Sequence, residues 1–91
     1  MRDFYGKEDT WKILVNRDNG HDKFWAYKNA GDDIIKVRYG RIGSIGVELS
    51  YDEGQFLDKW SEKLGHKGYR EATQQEVAVL FPPKILMMWE V

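Results

Sequence analysis

Between residues 10 and 51 the chain carries four short runs of strand character, three of them alternating apolar and polar side chains, with turn residues between them. TWKILVN (10–16) sets Trp11, Ile13 and Val15 against Lys12 and Asn16. That alternation has the two-residue period of a half-buried strand. RDNGHD (17–22) supplies turn chemistry, and the short aromatic run KFWAYK (23–28) returns as the second strand of a hairpin. After NAGDD, IIKVRYG (34–40) places Ile35, Val37 and Tyr39 on one face and Lys36 and Arg38 on the other. GVELSY (46–51) is a fourth strand, with Val47, Leu49 and Tyr51 alternating against Glu48 and Ser50.

The period then changes from two to 3.6. Ser50 followed three residues later by Glu53 has the form of a capping box and predicts a helix beginning near Tyr51. Phe56, Leu57, Trp60 and Leu64 form one stripe along it, and Gly65 ends it. Lys59 and Lys63 flank the Phe56 side of the stripe, while Asp58 and Glu62 point to solvent. A second capping box, Thr73 with Glu76, opens a short helix through Val77, Leu80 and Phe81 that Pro82 and Pro83 stop. The tail KILMMWEV (84–91) is apolar on both faces, which predicts a strand covered on both sides or lying along a sheet edge. Trp11, Trp25, Trp60 and Trp89 are assigned to packing. With no repeat or linker, residues 1–91 read as a single α+β domain: an antiparallel sheet of four to five strands, one main helix packed on it and a short second helix.

Several chemistries are excluded. The chain has no cysteine, which removes disulfides, thiolate zinc sites and cysteine nucleophiles together. Its two histidines, His21 and His66, lack ligand spacing, so no metal or other cofactor is expected. Ser44, Ser50 and Ser61 sit in no nucleophile-elbow context, and Asp32 and Asp33 close a turn after Gly31. The glycines of 40–46 match neither G-x-G-x-x-G nor a P-loop. The expectation is a protein that is not an enzyme. No segment has signal-peptide or membrane-spanning length, which predicts a cytoplasmic protein without a membrane partner. A formal net charge of −1 rules out a uniformly positive field but leaves room for a local basic face.

The most informative segment is VRYGRIGSIG (37–46). Val37-Arg38-Tyr39-Gly40-Arg41-Ile42-Gly43, with Gly46 after it, resembles the signature of the WGR domain, named for Trp-Gly-Arg and continuing Val-Gly-x-x-Gly. KFWAYK upstream resembles the family's Lys-Phe-Tyr strand, and Lys63-Leu64-Gly65-His66-Lys67-Gly68-Tyr69-Arg70 resembles its closing Lys-x-x-x-Gly-Tyr pattern. The likeness covers roughly residues 13–70, with all three landmarks in order and at the right spacing. It implies an antiparallel sheet with one helix acting as a nucleic-acid-binding module. WGR domains occur in DNA-damage-responsive poly(ADP-ribose) polymerases and in small bacterial proteins.

On that resemblance Tyr39 is a stacking platform and Arg41 a phosphate contact, with Gly40 and Gly43 letting the backbone approach. Lys67, Tyr69 and Arg70 meet them from beyond the helix, and Lys63 adds charge at the rim. Tyr39 stands where the family has its namesake Trp, and Asp22 and Lys23 stand where amide residues are common in the DNA-end binders. A carboxylate there repels a terminal 5′ phosphate, so contact with DNA backbone, largely independent of sequence, is expected over end recognition. Three or four neutralised phosphates predict a log–log salt slope of about −3 to −4 on duplex DNA. The alternative from another class is a protein–protein adaptor or regulator on the same fold. The discriminator is whether Lys36, Arg38, Arg41, Lys63, Lys67 and Arg70 share a continuous positive face; if they do not, the adaptor reading is the stronger.

Overall fold

A computed structural model of the chain describes residues 11–65 and 68–89. β1 (Trp11–Asn16), β2 (Lys23–Asn29), β3 (Ile34–Arg41) and β4 (Val47–Asp52) follow one another as a meander. α1 (Glu53–Gly65) then leads to a two-residue strand, β5 (Arg70–Glu71), and to two short helices, α2 (Gln74–Leu80) and α3 (Pro83–Trp89). The sheet order is β4-β3-β2-β1-β5, and every neighbouring pair is antiparallel. The fold is the α+β sheet with one main helix that the sequence predicts.

Both faces of the sheet are covered, which explains why the central strand β2 shows no polar face over Phe24, Trp25, Ala26 and Tyr27. On one face Leu14, Trp25, Tyr27, Ile35 and Val37 close around Phe56 of α1. The Trp25 and Phe56 rings stack at 5.7 Å and 17°. On the other face Ile13, Val15, Phe24 and Ala26 meet Phe81 and Trp89, brought over by α2 and α3. Phe24 packs edge-on against Phe81 at 5.1 Å and stacks on Trp89 at 5.2 Å. Burying each of these rings contributes roughly 2–3 kcal/mol by transfer bookkeeping.

Two local expectations are corrected. The start of α1 is capped by Asp52 and Gln55, not by Ser50 and Glu53: the Gln55 amide donates to Asp52 Oδ1 at 2.8 Å and the Asp52 amide to Gln55 Oε1 at 3.2 Å. Ser50 is still a strand residue there, held opposite Lys36 of β3, and has no orphan helix amide to serve. The tail is a helix, not a strand. Pro83 occupies its first position, where a missing N–H is no loss, and the Ile85 and Leu86 amides donate to the Pro82 carbonyl at 2.9 and 3.2 Å. Ile85, Leu86 and Trp89 turn to the sheet while Met87 and Met88 face out, a period of 3.6 hidden in an almost unbroken apolar run. The Thr73 cap forms as predicted, its hydroxyl accepting from the Glu76 amide at 3.0 Å. Among the described residues, no helix is long and apolar enough to cross a membrane.

Candidate nucleic-acid interface

β3 runs two residues further than its pairing with β4, whose Val47 lies opposite Tyr39. Gly40 and Arg41 are paired on one side only, with Phe24 and Lys23 of β2. The chain then turns away: the Ile42 amide donates to the Asp22 carbonyl at 2.9 Å, and the Arg41 carbonyl accepts from the Ser44 amide and hydroxyl at 3.0 and 2.7 Å. Gly43, at φ 89°, takes the third position of this turn, where a side chain is strained. Gly46, at φ 74°, lies so close to β3 that a Cβ would meet the Tyr39 carbonyl oxygen at 2.6 Å and the Phe24 ring at 2.7 Å. Two of the glycines that follow the motif are therefore required by the loop itself.

The end of the sheet left open in this way forms one wall of a cleft of about 460 Å³. Tyr39, Gly40 and Arg41 line it from β3, Lys23 and Trp25 from β2, and Gly20, His21 and Asp22 from the preceding loop. Lys63 at the end of α1 and Tyr69 close it from above. Segments far apart in the chain thus share one cavity because α1 crosses the sheet and ends beside β5, where the Tyr69 amide donates to the Lys63 carbonyl at 3.1 Å. Lys63 Nζ stands 5.4 Å from the centre of the Tyr69 ring. Burial pushes the Tyr69 hydroxyl above its ordinary pKa, so at neutral pH it remains a hydrogen-bond donor. Trp25 is the buried floor, while Tyr39, 39% exposed, is an outward-facing wall.

The β2–β3 pairing opposes like charges on both faces of the sheet, Lys28 with Lys36 on the α2–α3 face and Lys23 with Arg41 at the cleft. Lys23 and Arg41 are direct cross-strand partners, and like charges opposite one another destabilise a strand pair. Lys63 adds a third cation to the lining, and among the described residues Asp22 contributes the carboxylate there. Asp22 itself is drawn towards Arg17, at 3.9 Å. Among the described residues no carboxylate pairs with Arg41.

Of the residues expected at the site, Tyr39, Gly40, Arg41, Lys63 and Tyr69 line the cleft. Lys67 lies outside the described residues. Gly43 does not line it: a Cβ at this position would face α2, 3.3 Å from the Leu80 carbonyl oxygen. Arg70 does not reach it either. Strand alternation sends Arg70, opposite Val15, to the α2–α3 face. There Nη1 and Nη2 bond both oxygens of Glu76 at 2.7 and 2.6 Å. Lys36 and Arg38 project to the same far face as Val15. Arg38 is lodged there between the rings of Trp11 and Trp89, at 5.8 and 5.7 Å, and bonds Glu48 at 2.7 Å. Lys23 is the cation that the sequence reading overlooked. Carrying the alternation of KFWAYK one step back from Trp25 puts it on the face of Tyr39 and Arg41.

No family model matches the chain, and no curated protein does. The fold is similar to part of a crystal structure of a protein from Bacteroides fragilis, with 25% sequence identity and a TM-score of 0.60 over 72% of this chain. The chain spans about a fifth of that protein, 20% of its length.

Proposed function

We propose that this chain is a non-catalytic, WGR-like module that binds nucleic acid, holding phosphate in the cleft between Lys23, Arg41 and Lys63. The observation that supports the reading best is the opposed pair Lys23 and Arg41 with Lys63 above them. An anion seated between these groups relieves the cross-strand repulsion that the folded chain otherwise carries. Tyr39 offers a face to a sugar or base, and the Tyr69 hydroxyl a donor to a phosphate oxygen. DNA is the expected ligand, contacted with little reading of sequence, in a cytoplasmic setting.

The cleft narrows the expectation of three or four phosphates to two or three, because Arg70 is committed elsewhere. Fluorescence anisotropy at two salt concentrations, with intact duplex, nicked 5′-phosphorylated duplex and single strand, tests it. The log–log slope on duplex should be about −2 to −3. Arg41→Ala and Lys23→Ala should each weaken binding about tenfold without lowering the thermal midpoint. No binding at low salt overturns the reading.

A second reading, a protein–protein adaptor, is favoured by one specific observation: Lys36, Arg38 and Arg70 face away from the cleft, so no broad positive surface surrounds it. Capture of the same protein partner with and without nuclease, alongside failed DNA binding, would establish it.

A further inference from the structure

The two edges of the sheet are built differently. β5 is two residues long, too short to template another strand. β4 is six residues, VELSYD, with no proline and no lysine, and among the described residues it has β3 on one side only. The Asp52 amide donates to Gln55, and no described strand pairs with the outer side of β4, a condition most natural edges avoid by shortening, bulging or adding lysine. Val47, Leu49 and Tyr51 face the α1 side, opposite Tyr39, Val37 and Ile35. Tyr51 packs against the core, but Val47 and Leu49 remain 54% and 39% exposed. Glu48, Ser50 and Asp52 occupy the other face.

We infer that β4 is the interface of a two-fold symmetric dimer, pairing antiparallel with β4 of a second copy in the register centred on Leu49. Directly opposed residues share a face, so the symmetric registers that keep apolar against apolar differ by steps along one face. Centred on Glu48, the pairing sets the two Glu48 carboxylates against each other. Centred on Ser50, it sets Glu48 against Asp52 of the second copy. Centred on Leu49, it opposes Val47 to Tyr51 of the second copy, Leu49 to its equivalent and Glu48 to Ser50 of the second copy, with no like charges facing. The strand is self-complementary in that register. The result is a continuous ten-stranded sheet with the exposed Val47 and Leu49 covered on both sides of the axis.

Sedimentation equilibrium over about a hundredfold range of concentration tests it on the full chain. The unmodified chain should pass from monomer to dimer. Ser50→Glu creates two symmetry-related like-charge pairs with Glu48 and should weaken the dimer about tenfold, whereas Ser50→Lys creates two opposite-charge pairs and should tighten it by a similar factor. Within one copy the effects run the other way, because Ser50 faces Lys36: the glutamate gains a partner there and the lysine meets a like charge. Measured folding stability should therefore rise for Ser50→Glu while association falls, a combination that misfolding cannot produce. A monomer at every concentration for both the unmodified chain and Ser50→Lys overturns the inference. So does a dimer indifferent to both substitutions, which would move association to another surface, such as the exposed Met87 and Met88 of α3.

Discussion

Arg38 and Arg41 lie three residues apart on β3 and project to opposite faces of the sheet, into opposite electrostatic settings. On the α2–α3 face Arg38 is 12% exposed, sits between two indole rings and meets the carboxylate of Glu48. Its Nη atoms donate to Glu48 and to the Ile45 carbonyl, while Lys28 shares the Trp11 ring with it. On the α1 face Arg41 is exposed and meets Lys23 across the strand and Lys63 along the cleft. The first arrangement finds its counter-charge within the folded chain; on the proposed reading the second receives it from an anion. On that reading, the difference separates an arginine that stabilises the protein from one that serves a ligand.

The sharpest way to break this contrast is to damage the point where the two faces meet. Gly46 touches the Tyr39 backbone of one face and the Phe24 ring of the other, at a φ of 74°. Gly46→Ala forces a Cβ into both and should cost roughly 3–5 kcal/mol in urea unfolding. A loss under about 1 kcal/mol would mean that the loop yields easily and does not hold the cleft wall in place.

A smaller effect distinguishes the arginines directly. Arg38→Ala removes two cation–π contacts and two hydrogen bonds, to Glu48 and the Ile45 carbonyl, and should lower stability by roughly 1–3 kcal/mol, leaving phosphate affinity unchanged. Arg41→Ala should shift stability by no more than about 0.5 kcal/mol, upward because it relieves Lys23, while affinity falls. If the two variants lose stability alike and neither loses affinity, the faces do not divide the labour.

Acid sharpens the comparison further. The bidentate hydrogen bond from Arg70 holds the Glu76 carboxyl below the usual carboxylate range. A depressed carboxyl stabilises the fold above its unfolded pKa, and that contribution disappears as pH falls through the lower folded value. Thermal midpoints of the unmodified chain should therefore drop in moderate acid, below the ordinary value of 4.5. Glu76→Gln should flatten that part of the drop without altering binding at neutral pH, because the pair lies on the face away from the cleft.

How far the sequence disclosed all this depends on whether the signal was local. The four strands were legible because alternation writes itself into a few consecutive residues, and the Thr73 cap because its partners lie three apart. The α3 helix was not legible: with both its buried side (Ile85, Leu86, Trp89) and its exposed side (Met87, Met88) apolar, periodicity has no contrast to show. Motif spacing picked out Tyr39, Arg41 and Tyr69, and the fold brings these three to one cleft. Arg70 faces away from the cleft because adjacent strand residues point to opposite faces, which motif spacing alone does not show. Its carboxylate partner lies six residues on, in the next helix, where no short motif points.

The smallest effect serves as the control for the rest. In the turn between β2 and β3 the Ile34 amide donates to the Gly31 carbonyl at 3.0 Å, and the two residues between them, Asp32 and Asp33, both hold positive φ, 54° and 61°. That pair of angles suits glycine best at the second position. Asp33→Gly should raise stability by roughly 0.5 kcal/mol, the relief of a left-handed side chain less the greater freedom of the unfolded chain. The turn is at the opposite end of β3 from Arg41, so phosphate affinity should stay constant while the midpoint rises. A change in affinity on this substitution would mean that binding follows global stability, and the loss expected for Arg41→Ala could then no longer be credited to the guanidinium alone.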